Sequence, residues 1–228
     1  MREAVMSLLS DGPILSLLTF LPAAGALLVL LLRGEPDRVN RASRRIALLV
    51  SLLTFTLSVL VLQHFDPTLE KGAFQFVEKH PILPGLGISY HMGVDAIALV
   101  LILLTTFLMP MAFLASRRIT TRVREYMMAF LLLETLIIGT FCALDTFLFY
   151  VFFESVLIPM FLIIGIWGGP RRIYASFKFF LFTLLGSVLM LLAIIALYLK
   201  TGTTDMTVLL APRGPTLAKD LQVWLWLG

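Results

Sequence analysis

Cysteine and histidine are scarce in this 228-residue sequence, and their scarcity excludes several kinds of site. Cys142 is the one cysteine and lies within an apolar segment, so no disulfide, iron–sulfur cluster or cysteine-based metal site can be built from this chain alone. The three histidines, His64, His80 and His91, all fall in one connecting region. A haem or zinc site within the apolar segments is therefore not predicted, whereas a metal site in that connection stays open.

Charged residues are also few, at 14% of the chain, against about a quarter in soluble globular domains. Hydrophobic residues make up 59% of the chain, and the mean hydropathy is +0.97. This composition excludes a soluble enzyme as the starting hypothesis and indicates an integral membrane protein. The net charge of +4 does not indicate a nucleic-acid partner, because no basic run is interleaved with aromatic stacking residues.

Six apolar runs are each long enough, or nearly so, to cross a hydrocarbon layer of about 30 Å, which takes about 20 helical residues. Because backbone groups in hydrocarbon must be paired within their own segment, these runs are predicted to be α-helices. The first run is too long for a signal peptide and lacks a preceding basic cluster, so we expect a retained helix. The predicted fold is an all-α integral membrane bundle with spans at residues 13–32, 46–63, 96–115, 126–144, 147–168 and 173–200.

The connections suggest how the chain is organised. We expect residues 1–228 to form a single membrane domain. In the connection over residues 64–95, proline and glycine residues separate two short alternating stretches, Phe74–Val77 and Leu86–Tyr90, which predicts a small hairpin on the outer surface. The last residues, Gln222 to Gly228, are typical of the start of a seventh apolar helix.

The distribution of Lys and Arg predicts the orientation of the chain. Eleven lie in the connections after spans 1, 3 and 5, and six lie on the opposite side. Since cytoplasmic connections carry an excess of Lys and Arg, the first set is expected in the cytoplasm and the N-terminus outside. The first set comprises Arg33, Arg38, Arg41, Arg44, Arg45, Arg117, Arg118, Arg122, Arg124, Arg171 and Arg172.

Three ionisable residues, Glu134, Glu154 and Lys178, lie inside the predicted spans. Such residues are costly in hydrocarbon and are functional candidates by default. A rise of about 1.5 Å per residue places Glu154, Glu134 and Lys178 at about 10, 18 and 22 Å from the outer edge. Pro159 cannot donate to the carbonyl of Ser155, so we expect a kink that concentrates polarity beside Glu154. A carboxylate balanced between burial and a nearby cation suits proton translocation.

Each candidate also has a purely structural interpretation. Glu154 and Glu134 would then hydrogen-bond between helices to hold the bundle together, and Lys178 would extend its stem to the membrane surface. Asp145 lies at a tight turn, where aspartate is a common N-cap residue. Small residues in spans 4 to 6 are predicted to allow close helix packing, namely Gly139, Gly165, Gly186 and Ser187.

Four stretches resemble those of a known family, the antiporter-like membrane subunits of respiratory complex I, and most closely its chain M (chain 4) branch. Two of them, Phe152–Met160 (Phe-Phe-Glu-Ser-Val-Leu-Ile-Pro-Met) and Ala175–Ser187 (Ala-Ser-Phe-Lys-Phe-Phe-Leu-Phe-Thr-Leu-Leu-Gly-Ser), are specific in combination. The others are Ile88–Asp95 and Ile166–Gly169. The resemblance covers nearly the whole chain from about residue 13.

The resemblance implies a proton-translocating subunit of NADH:quinone oxidoreductase, set among other membrane subunits of a bacterial inner membrane. Glu154 would work with a lysine on a broken seventh helix, Lys178 matches a basic residue early in the sixth helix, and Glu134 matches an acid of the fourth. No cofactor or metal is assigned to this chain, since NADH, FMN, iron–sulfur clusters and quinone are expected on partner subunits. Family members have about twice as many helices, so we expect this chain to be an N-terminal fragment.

Two other hypotheses stay open. One is a subunit of a multi-subunit cation/proton antiporter or a membrane-bound hydrogenase, whose fourth to sixth spans are similar. The other is a non-catalytic membrane scaffold or inactive fragment, in which the buried charges only specify helix packing. The sequence does not distinguish H⁺ from Na⁺ as the ion, nor which quinone is used.

Overall fold

The computed structural model describes residues 12–67 and 74–211 together with residues 222, 223 and 225. Among these residues, six helical segments are long and apolar enough to cross a membrane, which confirms the predicted all-α membrane fold. Most of the predicted seventh helix, Gln222 to Gly228, lies outside the described residues. The spans are α1 (Ile14–Leu31), α2 (Pro36–Gln63), α3 (Ala96–Ala115, continued by a 3-10 turn at Ser116–Arg118), α4 (Val123–Cys142), α5 and α6 together (Thr146–Ser155 and Leu157–Trp167) and α7 (Arg172–Thr201).

The helix α2 begins at Pro36, ten residues before the predicted start at residue 46. Hydropathy marks only the part of a helix that lies in hydrocarbon, whereas this helix has a polar first part that contains Asp37 and Arg38. Pro36 suits the first turn of a helix, where its missing N–H needs no intrahelical partner. The prediction was therefore wrong about where this helix starts.

The connection between α2 and α3 contains an antiparallel hairpin of strands β1 (Gln75–Leu83) and β2 (Ile88–Val94). Both strands are longer than the predicted stretches. A 3-10 turn at Pro84–Leu86 joins them, and Gly87 after it has a φ of +68°, a conformation that favours glycine. The hairpin defines what we call the hairpin side of the bundle, and the opposite side is called the arginine side.

The core is centred on the contact between α1 and α4. Towards the hairpin side, a cluster that includes Leu15 and Leu18 of α1 packs with Ile138 of α4, and we call it the hairpin-side cluster. A second cluster, the arginine-side cluster, includes Val29 of α1 and Leu131 of α4. By contrast, only 6% of the apolar part of α7 is buried, so this helix lies at the edge of the described bundle.

Asp145 ties three segments together on the hairpin side. As predicted, it is an N-cap, because its Oδ1 accepts hydrogen bonds from the backbone N–H groups of Phe147 and Leu148 at the start of α5. Its Oδ2 accepts hydrogen bonds from the Ser89 N–H (3.1 Å) and the Thr204 hydroxyl (2.7 Å). One buried carboxylate thus joins α5 to the hairpin and to the segment after α7.

Asp205 makes a second tie between the same regions. It caps the short helix α8 (Met206–Leu209) and accepts a hydrogen bond from Lys79 Nζ at 2.7 Å, while His91 Nδ1 lies 3.2 Å from the same oxygen. Burial opposes ionisation of this carboxyl, but hydrogen bonds from Lys79 and Thr207 outweigh it and lower the pKa of Asp205 to about 2. The pKa of His91 is also lowered, in this case by burial, and the nearby Asp205 carboxylate partly opposes that effect.

Arginine side chains close the opposite end of the bundle. The Arg44 guanidinium on α2 donates hydrogen bonds to the carbonyls of Ser116 (3.1 Å) and Ile119 beyond α3, and Arg124 on α4 donates to the carbonyl of Leu30 near the end of α1. These carbonyls lie at or just beyond the C-terminal ends of helices, where a cation also interacts favourably with the helix dipole. The bundle therefore pairs exposed backbone groups with charged side chains at this end.

The glycines predicted to allow close packing differ in their surroundings. A Cβ atom on Gly139 would lie 2.5 Å from the ring of Phe152, so α4 and α5 approach closely there. A Cβ on Gly165 would meet Ser176 at 3.3 Å, whereas one on Gly186 would meet nothing within 4 Å among the described residues. The close-packing prediction was wrong for Gly186 among the described residues, because a cavity lined by Phe153 of α5 and not a packed atom lies beside it.

The lowered pKa of Asp205 predicts a pH-dependent contribution to stability. The ordinary pKa is 3.8 and the folded value is about 2, so the contribution is complete above about pH 4 and is lost as the pH falls towards 2. Asp205→Asn should therefore lower the thermal midpoint of the detergent-solubilised protein near neutral pH, and the difference from the unaltered protein should shrink as the medium is acidified. Glu35→Gln is the control, since its ion pair with Arg38 is exposed. A pH-independent difference would contradict the assignment.

The two glycine environments predict opposite effects of adding one methyl group. Gly139→Ala should destabilise the protein by about 1–3 kcal/mol, because the Phe152 ring must move out of a packed position. Gly186→Ala should be neutral or stabilise α7 by about 0.5–1 kcal/mol, because alanine is the better helix former. Chemical denaturation in detergent measures both changes. Equal effects of the two substitutions would show that the α4–α5 contact is not as close as described.

Candidate functional site

The fifth span is interrupted beside Glu154. The helix α5 ends at Ser155, Val156 forms a turn, and α6 begins at Leu157. This interruption agrees with the kink predicted from the sequence, since Pro159 in the first turn of α6 has no N–H to donate to the Ser155 carbonyl. A free carbonyl thus lies one residue from the Glu154 carboxylate.

Glu154 is half-buried, and its Oε2 is fully buried with no hydrogen-bond partner among the described residues. Tyr150, one turn earlier on α5, lies within electrostatic range of this carboxylate. The Tyr150 hydroxyl also lies near Ser187 on α7, whose own hydroxyl donates to the Leu184 carbonyl at 3.0 Å. The fifth span therefore places an acid, a phenol and a free carbonyl on the two turns before the break.

Glu134 is completely buried on α4, and neither of its carboxylate oxygens has a hydrogen-bond partner among the described residues. The next residue, Thr135, also has a buried hydroxyl without such a partner. Buried carboxyl groups are almost always paired with protein groups or ordered water. A carboxyl in this position is thus a candidate for exchanging protons with water and not only for holding helices together.

Close packing of α4 on α5 brings the helices that carry Glu134 and Glu154 together and sets the relative depth of the two acids. Gly139 on α4 contacts the Phe152 ring on α5, and each acid lies within five residues of this contact. Glu134 and Glu154 are each eight residues from the hairpin-side end of their helix, which corresponds to about 12 Å along the axis. The two acids therefore lie at similar depths, and the predicted stagger between them is corrected by the observed helix ends.

Lys178 is not brought together with either acid. Its side chain is exposed, and its Nζ lies 6.0 Å from the centre of the Tyr174 ring one turn earlier on α7. Ser176 and Ser187 mark the buried face of this helix. At about 100° per residue, Lys178 points away from that face. Within the described residues, the predicted three-residue site therefore divides into the buried Glu134 and the half-buried Glu154 on adjacent helices and the outward-facing Lys178.

Sequence reasoning missed the role of Glu78 on the hairpin side. Glu78 of β1 is buried and accepts hydrogen bonds from the N–H groups of Leu15 and Ser16, so it caps α1 from a distant part of the chain. Nothing in the local sequence pairs residues 62 or 63 positions apart. Among the described residues, no three His, Cys, Asp or Glu side chains are grouped so that they could hold a metal ion.

Two family models match consecutive parts of the chain. Residues 39–142 match "NADH-ubiquinone oxidoreductase chain 4, amino terminus", and residues 143–225 match "NADH:quinone oxidoreductase/Mrp antiporter, TM". The second match contains Glu154 and Lys178, and the first contains Glu134. The two matches together account for all six spans except α1.

Curated relatives agree with the family models. The chain is 51% identical over 199 residues to NADH-quinone oxidoreductase subunit M of Rhodobacter capsulatus, covering 87% of this chain and 38% of that protein. It is 44% identical over 216 residues to NADH-ubiquinone oxidoreductase chain 4 of Arabidopsis thaliana, covering 94% and 42% respectively. The chain thus spans about two fifths of the length of these relatives.

Solved structures share the fold. Respiratory complex I from Thermus thermophilus with bound NADH contains a chain that matches with a TM-score of 0.77 at 30% identity, over 93% of this chain and 42% of that one. The Mrp complex from Dietzia matches with a TM-score of 0.69 at 18% identity, over 87% and 20% respectively, which shows the fold alone. From the two family models and these relatives, the chain belongs to the antiporter-like membrane subunits of NADH:quinone oxidoreductase, in the subunit M (chain 4) branch.

Proposed function

We propose that this chain is part of a proton-translocating membrane subunit of NADH:quinone oxidoreductase (respiratory complex I), in which Glu154 is the protonatable switch. In this role it couples quinone reduction, carried out by partner subunits, to proton transfer across the membrane. The observation that carries the proposal is the Glu154 carboxylate at the break of the fifth span, with one oxygen buried and unpaired among the described residues.

The physical basis of the switch is the balance of charge at a buried acid. Burial favours the neutral carboxyl, whereas an approaching cation favours the carboxylate, so movement of the cation changes the protonation state. The Ser155 carbonyl freed by Pro159 and the Tyr150 hydroxyl supply local hydrogen-bonding groups for either form. Glu134, at a similar depth on the adjacent helix, is the proposed second proton carrier.

The role proposed for Lys178 in proton transfer is indirect. It faces away from both acids, so it acts on them only through groups that lie beside the exposed face of α7. The curated relatives extend beyond the part that this chain matches. In that further part, the resemblance implies a lysine on a broken seventh helix. Extension of Lys178 to the membrane surface is the structural alternative, and the exposed position of its side chain favours that alternative within the described residues.

Partners, cofactors and orientation form part of the same proposal. The partners are the other membrane subunits of complex I, and NADH, FMN, iron–sulfur clusters and quinone are held by partner subunits. The chain lies in a bacterial inner membrane with the hairpin side outside and the arginine side in the cytoplasm. The arginine excess in the connections after spans 1, 3 and 5 supports this orientation.

A second candidate function is a subunit of a cation/proton antiporter. The description of the family model over residues 143–225 names the Mrp antiporter together with NADH:quinone oxidoreductase, and the fold is shared with the Mrp complex. Subunits isolated with this chain distinguish the two. Co-purification of flavin and iron–sulfur subunits with NADH dehydrogenase activity supports complex I, and co-purification of antiporter subunits alone contradicts it.

Replacing Glu154 tests the proposed switch. Glu154→Gln in the intact complex should abolish coupled proton translocation, because the amide cannot exchange a proton, and should leave NADH oxidation by an artificial electron acceptor intact. Proton uptake by inverted membrane vesicles measures the first quantity, and acceptor reduction measures the second. Glu35→Gln, which changes an exposed acid outside the spans, is the control. Undiminished translocation in the Glu154 variant would refute the proposal.

Labelling of introduced cysteines tests the proposed orientation. His80→Cys on the exposed hairpin should react with a membrane-impermeant thiol reagent added to intact cells, and Arg38→Cys should react only after the membrane is opened. The native Cys142 is fully buried and provides the unlabelled background. The reverse pattern would place the hairpin in the cytoplasm.

A further inference from the structure

A cavity of about 220 Å³ lies between α4 and α6 towards the arginine side of the bundle, and we call it the α4–α6 groove. Its walls are apolar side chains of the two helices, among them Ala129, Leu132, Ile158, Leu162 and Ile166. Leu132, Ile158 and Leu162 are exposed in the described bundle, whereas Ala129 is buried and leaves room between the helices. The two helices therefore present an apolar groove at the level of the hydrocarbon.

The α4–α6 groove is long and narrow. From Trp167 at its mouth to Ile158 at its inner end, nine residues of α6 correspond to about 13 Å. A volume of about 220 Å³ over this length gives a mean cross-section of about 17 Å². A helix, about 10–12 Å across, is too wide to enter, whereas one extended hydrocarbon chain fits. The length also matches one leaflet, since half of the hydrocarbon core is about 15 Å thick.

Two arginines border the mouth of the α4–α6 groove. Arg122, which precedes α4, lines the groove itself. Arg172, the first residue of α7, donates a hydrogen bond of 2.9 Å from its Nη1 to the carbonyl of Ile166, which is a wall residue. Glu125 also lines the mouth, but its ion pair with Arg122 is 3.8 Å long and exposed, so it holds the guanidinium only weakly. The mouth therefore carries an excess of positive charge.

The connections beside the mouth add to this charge. Residues 116–125 and 168–174 together contain six arginines and one acidic residue. Arg117, Arg118 and Arg171 of this set are exposed. Guanidinium groups bind phosphate oxygens through paired hydrogen bonds, and basic pockets between membrane-spanning helices bind anionic lipid headgroups. The charge at the mouth thus complements a phosphate group.

Trp167 fixes the rim of the α4–α6 groove. Its indole N–H donates a hydrogen bond of 2.8 Å to the carbonyl of Thr121, and its ring packs edge-on against Tyr126 with the ring centres 5.1 Å apart. These contacts join the last residue of α6 to the start of α4. Tryptophan and tyrosine are enriched where hydrocarbon meets the headgroups. The mouth therefore lies at headgroup level, with the apolar walls below it.

We propose that the α4–α6 groove binds one anionic phospholipid of the membrane, with an acyl chain along the groove and the phosphate beside Arg122 and Arg172. At the inner end of the groove the acyl chain contacts Pro159, in the first turn after the break of the fifth span. The bound lipid thus holds α6 against α4 where the groove separates them. This inference does not depend on the proposed switch at Glu154, and its tests record lipid and not transport.

Photo-crosslinking in the intact complex identifies the occupant of the groove. A benzophenone derivative of phenylalanine takes the place of Leu162, which lines the groove, and the complex is isolated in detergent before irradiation. The control position is Met111, an exposed apolar residue near the arginine-side end of α3. Mass spectrometry should find phospholipid attached at position 162 and none at position 111, because detergent removes lipid that is not held by a site.

Three outcomes of this experiment overturn the proposal. A crosslink from position 162 to a partner subunit or to another part of this chain shows that protein fills the groove. Equal attachment of lipid at positions 162 and 111 shows that the groove does not select lipid. The absence of any lipid at position 162 shows that no lipid is held there. Co-purification of the partner subunits confirms assembly of each variant.

Replacing Arg122 tests the headgroup. Arg122→Gln should weaken the binding of added phosphatidylglycerol to the delipidated complex by about fivefold, which is the effect of one cation near the membrane surface, and should leave the binding of phosphatidylethanolamine nearly unchanged. Arg38→Gln is the matched control, since it removes an exposed arginine on the same side of the bundle. Unchanged binding of phosphatidylglycerol in Arg122→Gln, or an equal loss in the control, overturns the assignment of the phosphate to the mouth.

Discussion

Hydrocarbon offers no hydrogen-bond partners, so every polar group within the spans must be paired inside the protein. Most hydroxyls in the spans meet this constraint locally or across one interface. Thr140 and Thr183 donate to carbonyls four residues earlier in their own helices, and Ser58 pairs with Thr106 across the α2–α3 contact at 2.8 Å. The two intramembrane acids are different, since both carboxylate oxygens of Glu134 and the Oε2 of Glu154 are buried without a partner among the described residues. This contrast is the structural reason for proposing the two acids as proton carriers.

The same constraint explains the distribution of charge at the two ends of the bundle. On the hairpin side, carboxylates cap the helices that begin there: Glu78 caps α1, Asp95 caps α3, Asp145 caps α5 and Asp205 caps α8. On the arginine side, guanidinium groups bind carbonyls at helix ends. Negative charge near helix N-termini and positive charge near C-termini both favour the helix dipoles. The capping residues therefore also hold the hairpin and the segment after α7 on the bundle.

How much could be predicted from the sequence depended on whether the signal was local. The interruption at Val156, predicted from Pro159, and the N-cap at Asp145 are set by residues within one turn, and both agree with the prediction. The start of α2 was missed because hydropathy does not detect a polar extension of a helix. Gly186 was assigned to close packing because small residues favour it in general, and only the structure shows that no described atom lies within 4 Å of an added Cβ there.

Composition and hydrophobic periodicity determined by themselves that this is an integral membrane bundle of helices, because the free energy of placing apolar segments in hydrocarbon is a property of each segment. They also identified the acids, because ionisable groups are rare in such segments. The tertiary structure decided which of them share an environment: Glu134 and Glu154 lie at similar depths on adjacent helices, and Lys178 faces outward. It also brought Glu78 to the start of α1, since contacts between distant segments depend on helix rotation and packing, which local sequence does not encode.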